Sequence, residues 1–203
     1  MLANFIILSL AATALSAPLS FFRRANPCFV TGSVALPAEV AEGLPALEAA
    51  PVTCNSNIQV APGVPDISSG GIEYSTIDFQ KSSLSATFKT PSNPETADLD
   101  TLQNQLNDYL ALEAGVRVSS LSPITTEFKL GALQSQSGSS ALLDELKGPK
   151  FFLQFQIARV QTAQGVTLDD ADTVSHQLEK VLANAVGATA SEIAQVNALA
   201  KQV

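Results

Sequence analysis

The segment that decides the fold lies in the C-terminal half of the chain: residues 149–165 read PKFFLQFQIARVQTAQG. Its apolar side chains alternate as they would in a β-strand, at Phe151, Leu153, Phe155 and Ile157. The segment nevertheless continues for about fifteen residues without a turn residue, and length of that order favours a helix. Pro149 suits a first helical turn and Gly165 suits a C-cap. We therefore predict a central, buried helix over this segment, with a strand as the alternative.

A second helix is predicted from Asp98 onward, upstream of that segment. One face is apolar and carries Leu99, Leu102, Leu106, Tyr109 and Leu110. The opposite face is polar and carries Gln103, Asn104, Gln105, Asn107 and Asp108. Gly115 follows at the place where a C-cap belongs. Between the two helices, ITTEFKL at 124–130 indicates an extended segment, and SQSGSS at 135–140 indicates a flexible loop before a short helix at 141–147.

The C-terminal residues predict a helical hairpin with a connection of about two residues. Its first helix has an apolar stripe that ends at Gly187: Val174, Leu178, Val181, Leu182, Ala185 and Val186. Thr189 and Glu192 have the spacing of a capping box at the start of the second helix.

The N-terminal half has strand and turn signals instead. Residues 28–36 predict a strand interrupted at Gly32, and residues 72–74 and 77–79 predict short strands. Residues 60–71 contain two prolines and three glycines, so we expect a loop. A helix starting at Pro37 should be broken into short turns at Gly43 and Pro45. The chain is therefore predicted to be α+β, with a helical majority: short strands in the N-terminal half and amphipathic helices from about residue 95 onward.

The first 24 residues predict export and processing. Residues 1–16 have the length and small-residue exit of a signal peptide, with cleavage after Ser16. Residues 17–24 end in Arg23 and Arg24, a dibasic pair that a protease with an acidic pocket can recognise as the end of a pro-peptide. Residues 25–203 would then form a single secreted domain. In an oxidising compartment, the only two cysteines, Cys28 and Cys54, are expected to form a disulfide.

Composition excludes several classes of function. The 203 residues carry 11 Lys and Arg against 19 Asp and Glu, for a net charge of −8, which argues against nucleic-acid binding. Two cysteines and one histidine are too few for an all-protein zinc site. The acids at 169, 170 and 172 lack the spacing of a calcium loop and suit the first turn of a helix. We expect no metal, no cofactor and, beyond residue 16, no membrane span.

Few residues suggest chemistry, and we predict no catalytic residue. His176 lies on the flank of a predicted helix, without a partner that the sequence identifies. Phe152 and Phe155 are core candidates that could also line a pocket for an apolar small molecule. Arg159 lies on the same element and is a third candidate for binding that molecule; as a charged residue it must reach solvent or a carboxylate. A carboxylate-dependent hydrolase is a further alternative, although the chain has no Trp to stack on sugar.

Three segments together resemble a family of small secreted proteins of filamentous (ascomycete-type) fungi whose function is uncharacterised. They are CFVTGSVALPAEV at 28–40, YLALEAGVR at 109–117 and PKFFLQFQIARVQTAQG at 149–165. The resemblance covers Cys28 to about Asn184 and implies an exported fungal protein, but it assigns no functional residue. The favoured hypothesis is a non-catalytic interaction protein that acts on an unknown protein or cell-surface partner. The alternative is a carrier of an apolar small molecule beside residues 151–160.

Overall fold

The computed structural model describes residues 27–32, 35–77, 91–119, 129–185 and 188–203, with side chains in the long helix from Ala141 onward. The helices are α1 (Ala38–Ala49), α2 (Leu99–Ser119), α3 (Lys129–Ala163), α4 (Val174–Ala183) and α5 (Ala190–Leu199). The strands are β1 (Val52–Ala61), β2 (Val64–Ser69) and β3 (Ile72–Glu73). The structure is mostly helical, at 61 %, with the sheet in the N-terminal half, so the predicted α+β class is confirmed.

The sheet is antiparallel, in the order β1-β2-β3, and pairs Val52 with Ser69 and Cys54 with Ile67. The expected loop at 60–71 is wrong, because most of that segment is strand. Its prolines and glycines lie largely at the turns, where Gly63 has a φ of 74° and Gly71 a φ of 81°. Turn residues spaced this closely can belong to a hairpin as well as to a loop.

The segment before the sheet also differs from the prediction. Residues 28–29 form a turn in which the Val30 N–H donates to the Pro27 carbonyl over 2.8 Å, so the strand expected at 28–36 is wrong. Helix α1 runs through both expected breaks, Gly43 and Pro45. Proline costs a helix interior about 3 kcal/mol. Burial of Leu47 against the core offsets part of that cost.

Helices α2 and α3 pack against each other, and α2 also supports β2. Gly115 is not a C-cap, because α2 continues to Ser119. A Cβ at Gly115 would lie 2.8 Å from the Phe29 carbonyl oxygen and 2.8 Å from Val64 Cγ1. The glycine therefore allows close packing of the N-terminal turn and β2 on α2.

The segment at 149–165 is helical up to Ala163, as predicted, and forms the C-terminal part of α3. Its end at Gly165 is confirmed: the glycine has a φ of 79°, and the Val166 N–H donates to the Gln161 carbonyl over 2.9 Å, as in a Schellman motif. The loop expected at 135–140 is wrong, since α3 begins at Lys129 and includes those residues. Of the extended segment expected at 124–130, only Lys129 and Leu130 lie within the described residues, and both are helical.

The capping box at α5 is confirmed: the Thr189 hydroxyl accepts from the Glu192 N–H, and the Glu192 carboxylate accepts from the Thr189 N–H. Residues 184–189 separate α4 from α5, so the connection is longer than predicted. Val181 of α4 and Val196 of α5 are buried in the core. Helix α3 packs on α4 and, through Arg159, holds the end of α5.

Candidate functional site

A groove opens on the surface where the N-terminal turn meets α1 and β1. The Cys28–Cys54 disulfide, with Cα atoms 6.0 Å apart, fixes this turn to β1. The groove has a volume of about 360 Å³ and is lined by Pro27, Cys28, Phe29, Leu47, Glu48, Ala49, Ala50 and Val52. Its size falls at the lower end of the range for ligand sites. The disulfide and the buried floor residues Phe29 and Leu47 hold its walls in place.

Helix α1, which forms one wall of this groove, is acidic. Glu39 and Glu42 are exposed on α1, which contains no Lys or Arg. The apolar lining and the acidic helix together suit a segment that carries both apolar and basic side chains. We call this surface the disulfide groove.

The residues predicted to contact a small molecule lie in the core instead. Phe152 and Phe155 are fully buried, with ring centroids 6.1 Å apart. The crevice beside the start of this segment, lined in part by Lys150 and Leu146, is closed to a water molecule. The side chains proposed to line a pocket are thus packed against protein. Their role in binding stays a prediction.

Arg159 reaches neither solvent nor a carboxylate, so that prediction is wrong. The side chain is 0 % exposed, and its Nε donates to the Leu199 carbonyl over 2.7 Å. One terminal nitrogen donates to the Gln202 carbonyl over 2.9 Å, and the other donates to Gln156 Oε1. The guanidinium also lies 5.9 Å from the centroid of the Phe155 ring. Main-chain carbonyls at the C-terminal end of α5 replace the expected partner and fasten this end to α3.

The main group of buried polar residues lies between β2 and α2. Asp66 of β2 is 1 % exposed, and its Oδ1 accepts from the Ile67 and Ser75 N–H groups, each over 3.0 Å. Its Oδ2 accepts from the Ser75 hydroxyl over 2.6 Å. The Ser69 hydroxyl donates to Asn104 Oδ1 over 2.8 Å and accepts from Asn107 Nδ2 over 3.3 Å. The two Ser69 hydrogen bonds fix the position of β2 on α2, whereas those of Asp66 hold the turn at Ser75 against β2.

Asp108 is the exceptional member of this group. Its side chain is 0 % exposed, and within the described chain neither carboxyl oxygen has a hydrogen-bond partner. Burial raises the pKa of Asp108 to about 8. The Ser69 backbone N–H lies near enough to oppose this rise without forming a hydrogen bond of normal geometry, and the charge of Asp66 adds to the rise. Asp66 and Asp108 form a sealed pair of carboxyl groups, which no substrate can reach in this conformation.

Two aromatic residues stand beside the polar group. Tyr74 and Tyr109 are buried, with their rings 5.9 Å apart and nearly perpendicular. Burial, with help from the charges of Glu145 and Asp66, raises the pKa of Tyr74 to about 12. Both phenols are therefore neutral at physiological pH.

A separate ion cluster joins α2 to α3. Glu113 accepts from Arg117 Nη2 over 2.8 Å and from Lys150 Nζ over 2.9 Å. Burial acts to raise the pKa of Glu113, but the hydrogen bonds from Lys150 and Arg117 outweigh it and hold the pKa below its usual value. The Glu113 carboxylate thus pairs with both cations, and the cluster links α2 to α3.

The other residues that the sequence singled out do not form a site among the described residues. His176 is half-buried near the start of α4, where its N–H donates to the Thr173 hydroxyl cap. In the described ranges no three or more His, Cys, Asp or Glu side chains are grouped to hold a metal ion. Among those residues no helix is long and apolar enough to cross a membrane. The processing residues Ser16, Arg23 and Arg24 lie outside the described residues.

A model of one protein family, described as a domain of unknown function (DUF7143), matches residues 30–203. The chain belongs to the DUF7143 family. The match begins just after Cys28 and includes α5, so it extends beyond the region of the expected resemblance. Searches of curated proteins and of solved structures gave no match. The DUF7143 chain thus places Cys54, Asp66, Asp108 and Arg159 inside the family domain.

Sequence patterns missed the buried polar group. The amphipathic pattern of α2 predicts that Asn107 and Asp108 face solvent, but both are buried. Helix α2 is covered on several sides, by α3, β2 and α1. The signal that could have revealed this is ALEAGV at 111–116, whose small residues permit close contact around the whole helix.

Proposed function

We propose that this DUF7143 protein is exported from a filamentous fungal cell and acts there as a non-catalytic interaction protein at the cell surface or at the interface with a host. The leader-like residues 1–16 and the dibasic pair Arg23–Arg24 support export. The Cys28–Cys54 disulfide is consistent with an oxidising compartment.

The disulfide groove is the observation that carries the proposed interaction. It is open to solvent, its accessible lining includes Pro27, Cys28, Ala49, Ala50 and Val52 above the buried Phe29 and Leu47, and one wall is the acidic helix α1. A disulfide-braced wall loses little conformational entropy when a partner docks. We infer that the partner presents an extended protein segment with small apolar side chains for this lining and a Lys or Arg toward α1.

Site-specific photo-crosslinking tests this proposal. A photoreactive amino acid replaces Ala49, an exposed α1 residue that lines the groove, and a matched protein carries it at the exposed Ala194 of α5. Each protein is applied to intact cells of the producing fungus and irradiated. We expect a discrete protein adduct at position 49 and none at position 194.

Competition distinguishes docking from random labelling. Excess wild-type protein should abolish the adduct at position 49, whereas excess Ala49→Arg protein should not, because a long cationic side chain would fill the groove. Excess Ala194→Arg protein should compete like the wild type. Equal labelling at the two positions, or an adduct that wild-type protein does not displace, would contradict the proposal. A tightly bound molecule of a few hundred daltons in the native mass spectrum would instead favour a carrier.

A further inference from the structure

The contact between β2 and α2 contains a carboxyl group that the hydrogen-bond network leaves out. Asp66, Ser69 and Asn107 have partners, whereas in the described structure the two oxygens of the fully buried Asp108 have none. Asp108 lies in the middle of α2, a helix covered by β2, so its carboxyl group cannot turn to water without separation of the two elements.

A buried carboxylate without partners is strongly unfavourable, and such a group usually binds a proton instead. We propose that Asp108 is a proton-operated switch: its protonated form holds β2 against α2, and its ionisation at higher pH loosens that contact. Protonation removes the charge and supplies an O–H donor among carbonyl and carboxyl oxygens. Ionisation places a second negative charge beside Asp66, and relief comes through entry of water between the strand and the helix.

The charged and titratable groups around the contact favour the proton over a paired cation. On β2 the group that acts on Asp108 is Asp66, which has the same sign when ionised. On the other elements packed against α2, the carboxylates with described side chains are Glu73 of β3, Asp144 and Glu145 of α3, and Glu39, Glu42 and Glu48 of α1. The described cations of α3 have other partners: Lys150 binds Glu113, Lys147 binds Asp144, and Arg159 donates to Gln156 and to the Leu199 and Gln202 carbonyls. Tyr74 and Tyr109 are neutral, so among these groups the proton is what neutralises Asp108.

The sign of the pH effect follows from the raised pKa. Burial places the pKa of Asp108 at about 8 in the folded protein, from an ordinary value of 3.8. Between these values the folded protein binds one proton more than the unfolded chain, so stability falls as pH rises. The loss is complete once pH passes the folded pKa, and below about pH 4 both states are protonated.

Urea unfolding between pH 4 and pH 9 tests the proposal with Asp108→Asn, which keeps the shape and removes the titration. The control is Asp100→Asn, at an exposed aspartate on the same helix. We expect the ratio of the wild-type unfolding constant to that of Asp108→Asn to rise about tenfold per pH unit between about pH 5 and pH 7 and to level off above about pH 8. The ratio of wild type to Asp100→Asn should stay nearly constant. A constant ratio of wild type to Asp108→Asn would overturn the proposal.

Measurements on the wild type alone keep the proposal testable if Asp108→Asn does not fold. Infrared spectra at pH 6 should show the carbonyl band of a buried protonated carboxylic acid, and this band should disappear as pH passes about 8. The near-ultraviolet circular dichroism of the chain's two tyrosines, Tyr74 and Tyr109, should weaken in the same range. Absence of the band at pH 6 would overturn the proposal. Stabilisation of the protein by excess calcium ion at pH 8 would also overturn the proposal, since the Asp108 oxygens would then bind a cation.

Discussion

Replacement of Gly115 by alanine tests the close packing of α2 against the N-terminal turn and β2. The new Cβ would lie 2.8 Å from the Phe29 carbonyl oxygen and 2.8 Å from Val64 Cγ1, both inside normal contact distance. The Phe29 backbone cannot move away easily, because the adjacent Cys28 is bonded to Cys54. Gly115→Ala should therefore push the N-terminal turn and β2 away from α2.

Two opposing effects set the magnitude. Overpacking in a filled core costs about 1–3 kcal/mol. Alanine stabilises a helix interior by about 1 kcal/mol relative to glycine, which offsets part of this cost. We expect a net loss of about 1 kcal/mol from the free energy of unfolding, which lowers Tm by about 2–4 °C for a chain of this size.

Gly43→Ala is the matched control, because Gly43 also lies inside a helix but a Cβ there meets no described atom within 4 Å. It should raise the free energy of unfolding by about 0.5–1 kcal/mol. Both variants are unfolded in urea and followed by far-ultraviolet circular dichroism. Val64→Ala, which removes one of the two close contacts, should reduce the cost of Gly115→Ala. The packing argument is refuted if Gly115→Ala stabilises the protein as much as Gly43→Ala does.

Two further predictions concern the buried ionic groups. Deletion of residues 200–203, with the new terminus at Leu199 amidated so that no carboxylate replaces its carbonyl, removes the Gln202 carbonyl partner of Arg159. It should lower the free energy of unfolding in urea by about 2 kcal/mol, and by less in an Arg159→Met background, because no buried charge then loses its partner. Equal costs in both backgrounds would refute this role. Glu113→Gln should lower the free energy of unfolding by about 2 kcal/mol at pH 7. The wild type should be more stable than Glu113→Gln above the unfolded pKa of 4.5, and this difference should disappear as pH falls through the lower folded pKa of Glu113, since the ion pairs need the carboxylate. A difference that persists at pH 2 would contradict the role of these ion pairs.

Sequence patterns predicted a helix correctly where its end is set by residues close together in the chain. The Thr189–Glu192 capping box requires only neighbours in sequence, and the signals from Pro149 to Gly165 are equally local. The alternation of Phe151 to Ile157 did not produce a strand, because this segment is buried on several sides of a helix and not on one face of a sheet. Phe152 and Leu153, which would face opposite sides of a strand, are both fully buried.

Patterns failed where distant residues supply the partner. Nothing near Arg159 in sequence indicates that main-chain carbonyls near the C-terminus accept its hydrogen bonds. Likewise, the burial of Asp108 depends on β2, whose prolines and glycines predict a loop. Residues 135–140 have the composition of a loop, yet they lie within α3. Serine and glycine have only modest helix penalties, which a long helix tolerates.

The intact mass of the protein from the culture medium tests both the proposed export and the Cys28–Cys54 disulfide. The chain, including residues 1–16, is produced in a filamentous fungus, and the mass is measured before and after reduction. We predict a chain that begins at Ala25, or at Ala17 if the dibasic site is not cut, and that gains two hydrogens on reduction of Cys28–Cys54. Protein that stays inside the cell and keeps residues 1–16, or whose mass is unchanged by reduction, would contradict the account.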